Sequence, residues 1–265
     1  MSDFDFRQLG NDLLAGVSDA AESVADAARS VGSDASRYKS FLQAGRYLDA
    51  HDLVSTHGGN LSTCDGQNLW ISRTNALLGF LMPSDIVACS LTAPGAAGVA
   101  VAPGAAGAEA TSAPTAAAPT AAATSATAPP GSEADARASR ELPVHRAIYQ
   151  AAFSSSGEGR PLAIVHAHPL TAIALSLAAE QIQPLDSEGL YLLGEAVPVI
   201  APKETIASDE AAEMLASLMA KGIRCALIRG HGSFALASDL LAALQLTVAL
   251  ERSAKMRVLL SAAYG

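Results

Sequence analysis

The strongest constraint on this fold is a stretch that cannot join it. From about Thr92 to Ala134 the chain is almost entirely Ala, Pro, Gly, Thr and Ser. Such a segment carries too few large apolar side chains to offset the entropy of ordering it. Its prolines also interrupt any helix that the alanines begin. The core must therefore come from the sequence on either side, with the stretch left as a flexible surface insertion. An insertion of this length is tolerable because loop-closure cost grows only logarithmically. It is not expected to be a domain boundary, since residues on both flanks contribute to one candidate site.

The 265 residues are half hydrophobic, which suffices for one well-buried domain. The formal net charge of −9 argues against nucleic acid or an anionic membrane as partner, because no broad positive field exists to attract phosphate polymers. Any bound phosphate must be held locally. Cys64, Cys89 and Cys225 are widely spaced, form no CxxC pattern and read as reduced thiols. The acidic start Met1-Ser2-Asp3-Phe4-Asp5 is unlike a secretory leader, and no apolar run is long enough to span a bilayer. The expected location is the cytoplasm.

Residues 1–34 form a separate acidic head. Phe6, Leu13, Val17, Val24 and Val31 recur at spacings of four or seven, with alanines in the seam and Asp12, Asp19, Glu22 and Asp26 elsewhere. That pattern predicts an amphipathic helix. It packs on its own domain or serves a partner surface. The domain proper is expected over 35–265. A helix over about 35–53 leads into His57-Gly58-Gly59-Asn60-Leu61-Ser62, where two glycines permit a sharp turn with N–H groups presented to a ligand. Strands at 60–63 and 68–72 flank Cys64-Asp65-Gly66-Gln67, a hairpin signal, and Ile86–Leu91 predicts a third strand. After the insertion, Ser139 is expected to cap a helix bearing Val144, Ile148 and Tyr149, with Glu141 in its first turn.

The most informative run is Ala163-Ile164-Val165-His166-Ala167-His168-Pro169. In a strand, residues i and i+2 share a face, so His166 and His168 project side by side. Pro169 then ends the pairing. Imidazole is a favoured zinc ligand, and a catalytic zinc site needs about three protein ligands and an open position. Further along, the apolar strand Cys225–Ile228 ends in Arg229-Gly230-His231-Gly232. A histidine between two glycines at a strand end is the candidate third ligand. Helices are predicted over about 171–180, 209–221 and 239–262, with a short strand at Val197–Ile200. Strands and helices thus alternate after an early hairpin. The expected sheet is largely antiparallel, with helices on both faces.

Taken in order, His57 through Ser62, Ile71-Ser72-Arg73-Thr74, Ser139-Arg140-Glu141 through Tyr149, Val165 through Pro169, and Gly230-His231-Gly232 resemble the class II aldolase/adducin family, in particular the L-fuculose-1-phosphate aldolase-like enzymes. The spacing from His231 to Glu251 also fits. The resemblance covers roughly residues 38–262 without the insertion. It implies a three-layer α/β/α domain, one zinc per subunit (or manganese or cobalt) at His166, His168 and His231 with Glu141 beside it, and Glu141 as acid/base. It further implies a substrate phosphate held around Gly58, Gly59, Asn60, Thr74, Asn75, Ser139 and Arg140. The implied reaction cleaves a small phosphorylated ketose to dihydroxyacetone phosphate and an aldehyde through a metal-stabilised enediolate, in a homotetramer.

Several positions depart from that pattern. His57 replaces a small hydroxyl residue, Asn75 replaces a glycine, and Arg140 replaces a serine. Asp186-Ser187-Glu188, with Tyr191 nearby, occupies the region where the family carries a proton-donating tyrosine. An epimerase or decarboxylase of the same superfamily is therefore an alternative, although Glu at 141 stands where pentulose-phosphate epimerases have Asp. A structural adducin-like protein is a third reading, opposed by the presence of all three histidines and Glu141.

Overall fold

The computed structural model describes residues 34–92, 133–156 and 160–264. The amphipathic head and almost all of the Ala/Pro stretch fall outside those residues. Chain order is helix α1 (34–50), strands β1 (Asn60–Cys64), β2 (Asn68–Ser72) and β3 (Ile86–Ser90), then α2 (Glu133–Arg137) and α3 (Leu142–Ser156). There follow β4 (Leu162–Ala167), α4 (Leu170–Ser176), β5 (Gln181–Ile182), α5 (Ser187–Leu193) and β6 (Val197–Ile200). The chain closes with α6 (Asp209–Ala220), β7 (Cys225–Ile228), β8 (Gly232–Ala237) and α7 (Leu240–Tyr264).

The eight strands make one sheet in the order β3-β2-β1-β4-β8-β7-β6-β5. Only β6 and β7 run parallel; every other neighbouring pair is antiparallel. Strand parity divides the core. Ala163, Val165 and Ala167 of β4 pack with Phe41, Ala44 and Leu48 of α1 and with Leu246 and Leu250 of α7. Ile164 faces the other way, into Val144, Ile148 and Tyr149 of α3 and Leu215 and Met219 of α6. The result is three layers, with α1, α4, α5 and α7 on one side and α2, α3 and α6 on the other, as the resemblance implies.

Local chemistry explains the element ends. Asp65 accepts from the N–H groups of Gln67 and Asn68 at 2.9 and 2.7 Å, which closes the β1–β2 hairpin. Ser208 accepts from Ala211 N–H at 3.1 Å and caps α6, whose first turn holds Asp209 and Glu210. Asp239 accepts from Ala242 N–H and so precedes α7.

Several details differ from what the sequence predicts, among them the short elements α2 and β5, which are additional, and Ser139, which lies too far before Leu142 to cap α3. The helix after Pro169 stops at Ser176, because Leu177 and Ala178 turn back on Ala174 and Leu175 before β5 begins. Helix α5, capped by Asp186 accepting from Gly189 N–H, is additional to the predicted elements. So is β8, which forms because both its edges are paired, to β4 and to β7. Glu141 stands just before α3 rather than in its first turn. Its carbonyl accepts the first helical bond, from His145 N–H at 3.1 Å.

Candidate metal centre and substrate pocket

Four chain segments converge at one end of the central strands. The end of β4 supplies His166, and His168 follows two residues on. The turn between β7 and β8 supplies His231. The residue before α3 supplies Glu141, and the start of β1 supplies Asn60. One ring nitrogen from each histidine falls within 4.8 Å of the other two. His166 Nε2 lies 3.2 Å from His168 Nε2 and 3.1 Å from Glu141 Oε2, and His231 Nε2 lies 3.7 Å from Glu141 Oε1.

The far side of two rings fixes what the near side offers. His166 Nδ1 is 3.0 Å from Ser233 O, and His231 Nδ1 is 2.7 Å from Thr205 O. A carbonyl can only accept, so both Nδ1 atoms carry the proton and both Nε2 atoms present lone pairs. Burial is the first cause that holds the His166 and His168 pKa values below the ordinary imidazole range; the neighbouring histidines are the second. Neutral His166 therefore directs a lone pair at the Glu141 carboxylate, acceptor against acceptor. Glu141 Oε1 is buried with no hydrogen-bond partner among the described residues. A divalent cation among these atoms removes the repulsion, and three imidazoles beside a carboxylate suit zinc, manganese or cobalt.

Two glycines make room for the cluster. A methyl at Gly232 would lie 2.8 Å from His168 Cδ2, 2.9 Å from His166 Cε1 and 2.5 Å from Ala167 O. A methyl at Gly58 would lie 2.5 Å from His168 Nδ1. Gly59, at φ +78, takes the left-handed turn that presses its backbone against His166 O. His168 is tied from the other direction, its N–H donating to Leu53 O at 2.7 Å.

The pocket in front of the histidines holds about 130 Å³, room for a small polar molecule. Every residue expected to contact phosphate lines it: Gly58, Gly59, Asn60, Thr74, Asn75, Ser139 and Arg140. The sides of the pocket lie on opposite flanks of the long insertion, and backbone bonds join them. Thr74 N–H donates to Arg137 O, Ser139 N–H to Ser72 O, and Thr74 Oγ1 to Ala138 O at 2.7 Å. Ser139 Oγ accepts from Glu141 N–H at 3.3 Å, which helps set the carboxylate's entry into the pocket. Asn60 Nδ2 donates to Glu141 Oε2 at 2.8 Å and fixes its orientation.

The departures from the family pattern have physical readings. Asn75 adopts φ +59, a conformation that asparagine tolerates in place of glycine. Arg140 is exposed at the pocket and has no ion pair among the described residues. His57 also reaches the pocket wall. Arg73 lines it too, but its guanidinium already bonds Asp85 at 2.6 Å and Thr74 O at 3.0 Å. Tyr191 is almost fully exposed and away from this pocket.

A supporting layer lies beyond what the motifs predict. Behind Glu141, α3 presents His145 and Tyr149, both fully buried; Ser62 Oγ bonds His145 Nδ1 at 2.7 Å and Tyr149 Oη at 2.8 Å. Burial pushes the His145 pKa down to about 3. Phe234 links the layers, stacked on His166 at 4.2 Å and edge-on to His145 at 5.8 Å. The four-residue spacing of Glu141, His145 and Tyr149 along one helix face is the available signal. Glu251, buried in α7, accepts from Thr171 N–H, Thr171 Oγ1 and Ala172 N–H. It so anchors the start of α4 directly after His168-Pro169.

Known proteins show the same arrangement of elements. The family described as Class II Aldolase and Adducin N-terminal domain matches residues 39–258. L-fuculose-1-phosphate aldolase from Thermus thermophilus is 30% identical over 87% of this chain and 98% of its own, with a TM-score of 0.65. YgbL from Klebsiella pneumoniae, described as a putative aldolase/epimerase/decarboxylase, is 24% identical over 86% of this chain and 90% of its own, with a TM-score of 0.62. A sugar-phosphate aldolase from Thermotoga maritima is 17% identical over 84% and 94%, with a TM-score of 0.56. The latter two likenesses speak for the fold alone. No curated protein matches the chain. With the family's pattern running from residue 39 to 258, the chain belongs to the class II aldolase and adducin family.

Proposed function

We propose that this protein is a metal-dependent aldolase that cleaves a small phosphorylated ketose to dihydroxyacetone phosphate and an aldehyde. The supporting observation is the arrangement of unshared electron pairs. Two imidazole Nε2 lone pairs each lie within 4 Å of the Glu141 carboxylate, and one carboxylate oxygen is left without a hydrogen-bond partner among the described residues. In this reading His166, His168 and His231 hold the ion, with Glu141 at its edge. A bound divalent ion supplies Lewis acidity, drawing electron density from the ketose oxygens as the carbon–carbon bond breaks.

The protein's own groups do the rest. The N–H of Gly59 and the hydroxyl of Ser139 receive the phosphate, with Gly58 and Thr74 shaping the pocket wall and the guanidinium of Arg140 adding charge at the rim. Glu141, oriented by Asn60, takes a proton from the substrate hydroxyl next to the scissile bond. It returns a proton to the carbon that gains the electron pair. Proton transfer then stays within one buried carboxylate, and an acidic protein needs no basic surface to bind a phosphosugar.

The catalytic unit is a single domain from about residue 35, interrupted by the insertion, working as a cytoplasmic homotetramer. Exposed apolar side chains late in α7, among them Val258, Leu259 and Tyr264, support assembly of copies. Among the described residues no helix is long and apolar enough to cross a membrane.

A decarboxylase or epimerase on a sugar phosphate is the second reading, and Arg140, without an ion pair among the described residues, is what favours it, since guanidinium binds carboxylate as readily as phosphate. A screen of phosphorylated ketoses and phosphorylated sugar acids decides between them. The aldolase reading expects dihydroxyacetone phosphate, detected by coupled NADH oxidation. Carbon dioxide release, or a change of stereochemistry without cleavage, would replace it.

A further inference from the structure

A groove unrelated to the histidines runs along the opposite end of the sheet. It starts beside the first turns of α1, where Ser36, Ser40 and Trp70 line it together with Arg37, Asp65 and Asp239, so that this stretch carries mixed charge, and passes Pro161, Leu162 and Ser238. Those last three residues also belong to the next stretch, a cavity of about 690 Å³ where α3 and α6 end. Its apolar wall includes Met219, Ile223 and Leu236. All its charged lining residues, Arg160, Lys221 and Arg224, are positive, an unusual concentration in a chain of net charge −9. The pattern does not suit a small free anion. Two helices end here, and their C-terminal carbonyls disfavour negative charge deep in the cavity. It suits an apolar stripe that carries carboxylates along its margin.

The chain itself contains such a stripe. Residues 1–33 hold six acidic side chains against two arginines. Phe6, Leu13, Val17, Val24 and Val31 recur at helical spacing. The described chain begins at residue 34 beside the groove, since Asp34 and Arg37 border the neighbouring hollow and Ser36 the groove itself. A helix over 4–31 would be roughly 40 Å long, more than the ~30 Å diameter of a small domain, so reach is not limiting.

We propose that residues 4–31 fold back as an amphipathic helix onto this groove of their own chain. The valines face Met219, Ile223 and Leu236, and Asp12, Asp19, Glu22 and Asp26 are the candidates to meet Lys221 and Arg224 at the rim.

Zero-length carbodiimide cross-linking of the full-length protein tests this, because it joins an amine to a carboxylate only where the two touch. The expected product, mapped by mass spectrometry, links Lys221 to an acidic residue of the head. The double variant Val17→Asp, Val24→Asp should lower its yield about tenfold or more, as loss of apolar burial weakens docking. When a Lys221→Ala chain is co-expressed with the double-variant chain, a link from Lys221 to a head peptide that carries wild-type Val17 and Val24 can arise only between copies, and none is expected there. Absence of the link in the wild type, its persistence in the double variant, or its appearance in the co-expressed pair would each overturn the proposal.

Discussion

Substituting Gly232 by Ala tests how tightly the metal site is built. The new methyl meets three atoms inside 3.0 Å: Ala167 O, His168 Cδ2 and His166 Cε1. The first belongs to the backbone of β4, whose residue Ala167 is held in register with Ser233, so it cannot yield alone. Rotating His166 instead would break its 3.0 Å bond to Ser233 O and its stacking on Phe234. Forcing a methylene into a packed site costs about 1–3 kcal/mol. Displaced ligand rings should cost metal affinity on the scale of lost supporting contacts, about 10- to 100-fold. Urea unfolding in chelator isolates the first effect, and zinc titration against a fluorescent competitor isolates the second. An unchanged midpoint together with an unchanged Kd would refute the packing argument, because the histidines would then have free space that the geometry denies them.

Three further outcomes follow from the same contacts. Glu141→Gln should lower kcat by about 100- to 10,000-fold while the three histidines keep the metal, and full activity would remove Glu141 from the mechanism. In chelator-treated protein, stability should fall as pH drops from about 6.5 toward 3. His145 is neutral when folded, with its pKa pushed down to about 3, and takes a proton near 6.5 once unfolded, so the unfolded state binds more protons in that window. Urea midpoints should show His145→Gln with a slope shallower by roughly 1 kcal/mol per pH unit; parallel slopes would contradict this. Glu251→Gln replaces an oxygen facing the Thr171 and Ala172 donors with an NH₂ group or an uncharged acceptor. It should cost about 1–3 kcal/mol in unfolding experiments, and a neutral result would mean that α4 does not depend on this anchor.

Local signals carry far in this chain. The Asp65-Gly66 turn marks a hairpin that forms with Asp65 capping it, and strand parity places His166 and His168 on one side of β4. What eludes sequence is set by partners distant in the chain. Strand β8 is a short apolar segment after Gly232, legible only once β4 and β7 flank it. Helix α5 is seven residues long, too short to show a period. The support for Glu141 comes from Asn60, 81 residues earlier, and that for α4 from Glu251, about 80 residues later. No periodicity encodes such pairings. The histidine, glycine-turn and Glu141 segments can be ordered along the chain by motif, but their distances to one another come only from the folded sheet.

In the proposed function His166, His168 and His231 hold a catalytic divalent ion. Metal content of the purified full-length protein, prepared without chelator and compared with the His166→Ala, His168→Ala, His231→Ala triple variant, tests it most directly. About one zinc, manganese or cobalt ion per chain is predicted in the wild type, and essentially none in a triple variant whose circular dichroism stays native. A wild type that binds no metal even after zinc is added, or a triple variant that retains a full equivalent, would rule out a metal centre at these histidines.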